Sequence, residues 1–385
     1  MKILYISGYA PWWGEYPPDV LEREDAGSVA GGEAGMLESA FGLARRGHEV
    51  TVYACAIPGR HGGVTFRKER DFYRDLLEVD PPGAVVAWVD PHPLAAVPPP
   101  TVRVMVQQLN DLSFISGWER FADVLVSPSH NHLDFMRRIG WGGAGGVMHN
   151  GCWPDLWSTA PPPGARPPRV GYWSSPDRGL HHILRVWPRI RRAVPGATLR
   201  VNYEVKKLLG FIEEPPGACD TGLERVRAVR DAVARARGDG SVSFSGLLSR
   251  PALRREQIQT RVMAYPSDGL GYTEGFSVAV LEACAAGALP VVRPVDAMPS
   301  IYGAAVRWLP LDTGDPGFDD ALEENVVKGL VEWAAAPAAP TLEALRSKAE
   351  EYSWERAVGE MERVVLETTR KESDDTYVWG GAHAG

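Results

Sequence analysis

Glu274 and Glu282 stand with seven residues between them in the run Glu-Gly-Phe-Ser-Val-Ala-Val-Leu-Glu. The flanking pattern says what positions them. The apolar run from Arg261 to Tyr265 reads as a buried strand ended by Pro266. A Gly-rich loop follows, and Ser277 is placed to cap a helix over roughly 278–286. Gly287 closes that helix, and 289–292 reads as the next strand. The turn thus lies at the carboxyl end of a strand and the amino end of a helix, where free N–H groups and the helix dipole favour an anion. A carboxylate cannot itself bind a phosphate. The expected partners of Glu274 and Glu282 are sugar or ribose hydroxyls, or a cation on the ligand.

A second strand–turn–helix pattern opens at Arg169-Val-Gly-Tyr-Trp-Ser-Ser-Pro-Asp-Arg-Gly-Leu180. Its helix shows an apolar face of Leu180, Ile183, Leu184 and Trp187. Arg178 in this turn carries a fork suited to two phosphate oxygens.

The Glu-x7-Glu stretch, with the following Ala-x-x-x-Gly-x-x-Pro-Val-Val, resembles the retaining GT-B glycosyltransferases of the group 1 / family 4 type. The likeness covers nearly the whole chain and is densest from Val170 to Val292. It implies an α/β fold of two Rossmann-like, doubly wound domains facing a central cleft. It further implies that Glu274 with the amides of Gly275, Phe276 and Ser277 holds the donor sugar and diphosphate, and that Glu282 takes the ribose hydroxyls. Arg178 matches the family's second diphosphate cation. Trp173 or Ser174 stands where the first would be, so Ser174 and Ser175 are expected to donate hydrogen bonds instead, or another Arg swings in. Leu247, in Ser245-Gly-Leu, stands where the nucleotide base is received.

At the start of the chain, Gly31-Gly-Glu33, a helix and Arg-Gly-His-Glu-Val-Thr-Val match the family's acceptor-side domain, which places Gly32 near the donor and Glu33 near the acceptor. Where many relatives carry a His-Asp-like pair, this chain has Asn110 and Asp111. Asn can pair with a hydroxyl but carries no charge. Trp12, Trp13 and Tyr16 lie in a long loop expected to face the cleft, where flat rings stack on a sugar or a nucleobase. The implied reaction moves a hexose from a nucleotide-sugar, with UDP as the expected nucleotide, to a hydroxyl acceptor with retention. No Asp-x-Asp pair occurs in the sequence, so no metal and no other cofactor is expected.

Composition sets the bounds. The chain has 385 residues, enough for two cores, with 44% apolar and 23% charged residues. No apolar run is long enough to span a bilayer, and Met1-Lys-Ile-Leu-Tyr-Ile leads straight into a strand, so no signal peptide is expected. The four cysteines, Cys55, Cys152, Cys219 and Cys284, show no metal-ligand spacing and read as reduced residues of a cytoplasmic protein. A net charge of −8 argues against dependence on nucleic-acid phosphate or an anionic membrane.

Further strands are expected over 2–7, 50–54, 85–89, 102–106, 124–127, 197–202 and 242–244, and helices over 33–46 and 223–237. The basic run 60–74 reads as a solvated helix face, or as a patch for an anionic partner. A Pro- and Gly-rich span, 153–168, reads as a linker that few contacts cross. The expected domains are 1–160 and 166–350, with a helix over 352–370 crossing back to the first and a flexible tail over 371–385. Two acceptor classes stay open: a carbohydrate or small metabolite, and a hydroxymethylated base of DNA, which the basic run alone favours. The alternative to an enzyme is a degenerate, non-catalytic GT-B binding or scaffold protein. A same-fold sugar-nucleotide epimerase is a third reading.

Overall fold

The computed structural model describes residues 1–7, 14–78, 80–109, 117–206, 220–267, 271–310, 314–335 and 339–379. The chain divides into two compact units, Met1–Gly151 with Tyr352–Gly385, and Cys152–Glu351.

The first unit is built on an eight-stranded sheet of order β3-β4-β2-β1-β5-β6-β7-β8. Its central strand β1 (Lys2–Ser7) is buried from Ile3 onward, the near-continuous apolar run of a parallel strand covered on both faces. Parallel neighbours β2 (Glu49–Ala54) and β5 (Ala84–Trp88) flank it. The chain runs outward through β2 on one side, then returns to β5, β6 (Val102–Val106), β7 (Val124–Ser127) and β8 (Gly145–Val147) on the other. The order therefore reverses between β1 and β5, and ligands of open α/β sheets bind at the carboxyl ends of such a pair.

Helix α1 (Gly31–Arg45) packs on this sheet through fully buried Met36, Leu37, Ala40 and Leu43. A Cβ at Gly42 would lie 2.2 Å from Val358 Cγ2, so a glycine lets α1 approach the C-terminal helix (Trp354–Trp379) closely. An ion pair and hydrogen bonds tie that helix to the unit: Arg46 pairs with Glu362 at 2.9 Å, His48 Nε2 lies 2.8 Å from Glu362, and His149 Nδ1 lies 3.0 Å from Glu360. The helix runs on through Trp379, past the point at which a flexible tail is expected from sequence. Neither Gly nor Pro occurs between Leu366 and Trp379, so nothing local stops it.

The basic run 60–74 is not one helix face. It forms an antiparallel hairpin, β3 (Gly59–His61) with β4 (Val64–Lys68), then a turn and α2 (Phe72–Glu78). Val64 and Phe66 alternate inward, and this period of two outweighs the charge pattern. Arg67 and Arg74 both bind the buried carboxylate of Asp75, at 2.5 and 3.0 Å, and Lys68 binds Glu15 at 2.5 Å. Helix α3 (His130–Arg138) is capped by Ser129, whose Oγ accepts from His132 N.

The second unit carries a wholly parallel six-stranded sheet, β11-β10-β9-β12-β13-β14. From β9 (Arg169–Tyr172) the chain runs to β10 (Thr198–Val201) and β11 (Val242–Phe244), then returns to β12 (Val262–Tyr265), β13 (Leu289–Val292) and β14 (Arg307–Trp308). Here the order reverses between β9 and β12, which pair directly, Val262 with Val170 and Met263 with Gly171. The expected linker packs as part of this unit. Trp157 and Arg166 are buried, and the Arg166 guanidinium donates to the carbonyls of Pro161, Thr260 and Ala286 at 2.7–2.9 Å. Among the described residues no helix is long and apolar enough to cross a membrane.

Candidate functional site

Arg178 follows β9 and Glu274 follows β12, so the two residues come from the strands between which the second sheet reverses. Gly179 makes their approach possible. It takes φ +94°, caps helix α4 (Leu180–Ala193), and a Cβ there would fall 2.0 Å from Pro266 O. Only a residue without a side chain lets the turn after β9 lie against the end of β12. Arg178 Nη1 then reaches Thr273 O at 2.5 Å and Glu274 Oε1 at 3.3 Å.

Glu274 is 7% exposed. The Tyr265 hydroxyl, from the last residue of β12, donates to the same Oε1, and Ser174 Oγ donates to that hydroxyl at 3.3 Å. Burial raises the Glu274 carboxyl above the ordinary carboxylate range, opposed by the Arg178 charge and the Tyr265 bond. Burial works against the charge of Arg178 too, yet the Glu274 carboxylate facing it holds the guanidinium more firmly protonated than usual. The result is a chain Ser174–Tyr265–Glu274–Arg178 that can meet hydroxyls through one end and phosphate oxygens through the other. Ser175 is turned aside, its Oγ donating to Asp177.

Trp173, where a first cation would stand, is 6% exposed and donates from Nε1 to Ala279 O at 2.9 Å. It packs beneath the helix Val278–Ala286, so its position serves the core. That helix has the bounds expected from sequence, and left-handed Gly287 closes it. Ser277 occupies the cap position without a side-chain capping bond; its carbonyl accepts from the Tyr302 hydroxyl at 2.5 Å. Phe276 is buried, its ring edge-on to Tyr302.

Glu282 is separate from this chain of contacts. Both its oxygens are taken, Oε1 by Arg250 and Oε2 by Gln257 Nε2 at 2.7 Å, and Trp157 Nε1 donates to Gln257 Oε1 at 3.0 Å. Leu247 is half-buried just beyond β11, the edge strand.

In the first unit, Glu33 and Tyr16 come together. Glu33, in the first turn of α1, is 5% exposed, and its Oε2 accepts from Ala30 N at 3.2 Å. Burial lifts its carboxyl from 4.5 to about 7. Tyr16 is bridged to Ala56, and among the described residues its buried hydroxyl has no hydrogen-bond partner. Burial raises that hydroxyl first, and the nearby Glu33 adds to the rise. Gly32 beside them has open space where a Cβ would sit. Asn150 donates from Nδ2 to Gln108 Oε1 at 3.0 Å, close to the carboxyl end of β6. Trp12, Trp13, Asn110, Asp111 and Cys219 lie outside the described residues. His132 is a packing residue: buried, 3.1 Å from Ser127 Oγ, and lowered by burial to about 4. Among the described residues no group of three or more His, Cys, Asp or Glu is arranged to hold a metal ion.

Sequence reasoning missed Tyr265, Asp296, Arg250 and Gln257. Arg250 and Gln257 were findable, lying seven residues apart on one face of the helix Arg250–Ile258. Asp296 has no local signal; its partners are more than twenty residues away in the chain.

No protein-family model matches the chain, and no curated protein matches it. Solved structures do. Sucrose-phosphate synthase from Thermosynechococcus elongatus shares 13% identity over 95% of this chain and 99% of its own, with a TM-score of 0.64. Anabaena HepE, solved with UDP and glucose, shares 15% over 95% and 100%, with a TM-score of 0.65. The catalytic domain of starch synthase IV from Arabidopsis thaliana, bound to ADP and acarbose, shares 12% over 96% and 99%, with a TM-score of 0.62. With two parallel-sheet units and these neighbours, the chain has the α/β GT-B fold of glycosyltransferases.

Proposed function

We propose that the protein is a retaining, metal-independent hexosyltransferase that uses a UDP-sugar and a hydroxyl acceptor. The observation that carries this is the Arg178–Glu274–Tyr265 cluster at the reversal of the second sheet, a buried carboxylate beside a half-buried, fully charged guanidinium. HepE has also been solved with UDP-glucose, which makes UDP the first donor to try.

In this reading Arg178 binds the diphosphate, supported by Ser174 and by the Gly275 and Phe276 amides at the helix start. Glu274 accepts from the donor sugar hydroxyls, Glu282 turns to the ribose, and Leu247 lies under the base. Gly32 lies on the donor side, and Glu33, Tyr16, Trp12 and Trp13 serve the acceptor side, with Asn110 and Asp111 at the sugar. The bond from the anomeric carbon to the phosphate oxygen breaks as the acceptor oxygen bonds to that carbon on the same face. The acceptor proton passes to the departing β-phosphate oxygen, so Glu274 need not act as a nucleophile. A cytoplasmic setting fits the free thiols of Cys55, Cys152 and Cys284.

A carbohydrate or small metabolite is the favoured acceptor over modified DNA, because Arg67, Arg74 and Lys68 of the basic run are already held by carboxylates. Acceptors are to be screened as glycans beside hydroxymethylated DNA, and the product's anomeric centre read by NMR. Retention supports the proposal; inversion refutes its mechanism.

Two observations favour a second reading, a sugar-nucleotide-binding protein without turnover: both Glu282 oxygens are occupied, and Trp173 replaces a cation. The Glu274→Gln variant separates the two. An enzyme loses most of its turnover, whereas a binding protein has none to lose and keeps its ligand.

A further inference from the structure

The segment between β13 and the short helix Met298–Tyr302 touches the Glu274 loop at both ends. Asp296 has φ +49°, a conformation that a non-glycine residue keeps only when its surroundings hold it there. Its Oδ2 accepts from Thr273 N at 2.6 Å, Thr273 Oγ1 at 3.1 Å and Glu274 N at 2.9 Å. The next residue closes the contact from the other side, Ala297 N donating to Glu274 O at 3.2 Å. At the far end Tyr302 donates to Ser277 O, and its ring meets Phe276 at 6.3 Å between centroids.

We infer that Asp296 is the positioning residue of the site: its carboxylate fixes the Thr273–Glu274 backbone so that Glu274 meets Tyr265 and both Glu274 and the Thr273 carbonyl meet Arg178. The role of the loop rests on the function proposed above; the positioning itself does not. Two consequences follow. The amides of Thr273 and Glu274 are committed to Asp296, so a diphosphate at this turn is met by Arg178 and by groups further along the loop. The carboxylate is also a like charge near Glu274. Burial raises the Glu274 carboxyl most, and Asp296 and Asp177 add to the rise, against Arg178 and the Tyr265 bond. The buried Tyr172 hydroxyl from β9 is a further titratable group near Glu274.

The test uses the full chain, UDP-glucose as probe, and the variants Asp296→Ala and Asp296→Asn. Hydrogen exchange at the Thr273 and Glu274 amides should quicken in Asp296→Ala whether or not the protein is a transferase. UDP-glucose affinity should fall by about 10- to 100-fold, the loss expected when a charge-assisted hydrogen bond is removed. Asp296→Asn keeps an acceptor oxygen without the charge. It should retain most of the affinity while the acid limb of binding moves to lower pH, a change that a purely structural residue would not produce. Unchanged exchange at both amides in Asp296→Ala, or a wild-type pH profile in Asp296→Asn, overturns the inference. A wild-type protein that binds no UDP-glucose refutes the functional reading instead, and the exchange result still decides the positioning.

Discussion

Glu33→Gln should make the protein more stable at neutral pH and change it little in acid. The carboxyl is 5% exposed, and burial raises it from 4.5 to about 7. Because the folded state holds this proton more tightly than the unfolded chain, the associated stability is fully present below about pH 4.5. It is lost as pH rises through 7. At about 1.4 kcal/mol for each tenfold in proton affinity, the loss is about 3 kcal/mol. Glutamine has nearly the same shape, can still accept from Ala30 N, and does not ionise. Melting curves of both proteins at pH 4.5 and pH 8 isolate the effect, since every other pH-dependent group is shared. The variant should gain roughly 6–12 °C on wild type between the two conditions, for a unit of this size. Parallel melting temperatures at both pH values would refute the reasoning. A group that costs the fold this much is the kind that a functional site retains, which supports the proposal that Glu33 and Tyr16 serve the acceptor side.

Gly179→Ala forces a Cβ against Pro266 O at a left-handed position and should destabilise the second unit by at least about 2 kcal/mol. Nucleotide binding should weaken with it, read by calorimetry, because the turn that carries Arg178 moves. Chelator should leave transfer largely intact; complete loss, restored by a divalent cation, would put a metal back into the mechanism.

The frame was legible in the sequence because its signals are local. Apolar runs such as Ile3–Ile6 and Val262–Tyr265, and the left-handed glycine closing Val278–Ala286, mark elements without reference to the rest of the chain. The spacing of Glu274 and Glu282 likewise found two buried carboxylates. Their surroundings were not legible. Glu282 is paired by Arg250 and Gln257, residues 32 and 25 positions away, and the geometry of Glu274 depends on Asp296. The basic run was misread for a different reason. Its charges suggest a helix face, although Val64 and Phe66 alternate with the period of a strand and Gly62-Gly63 supplies the turn.

The central claim is that the Arg178–Glu274 pair holds the diphosphate and sugar of a nucleotide-sugar. The most direct measurement is the melting temperature of wild type and Arg178→Ala with UDP-, GDP-, ADP- and TDP-sugars well above their dissociation constants. A ligand that binds only the folded state must raise the melting temperature. The account predicts a clear rise for wild type with one nucleotide, UDP first, and its loss in Arg178→Ala. No rise with any of the four, or an equal rise in both proteins, would contradict it.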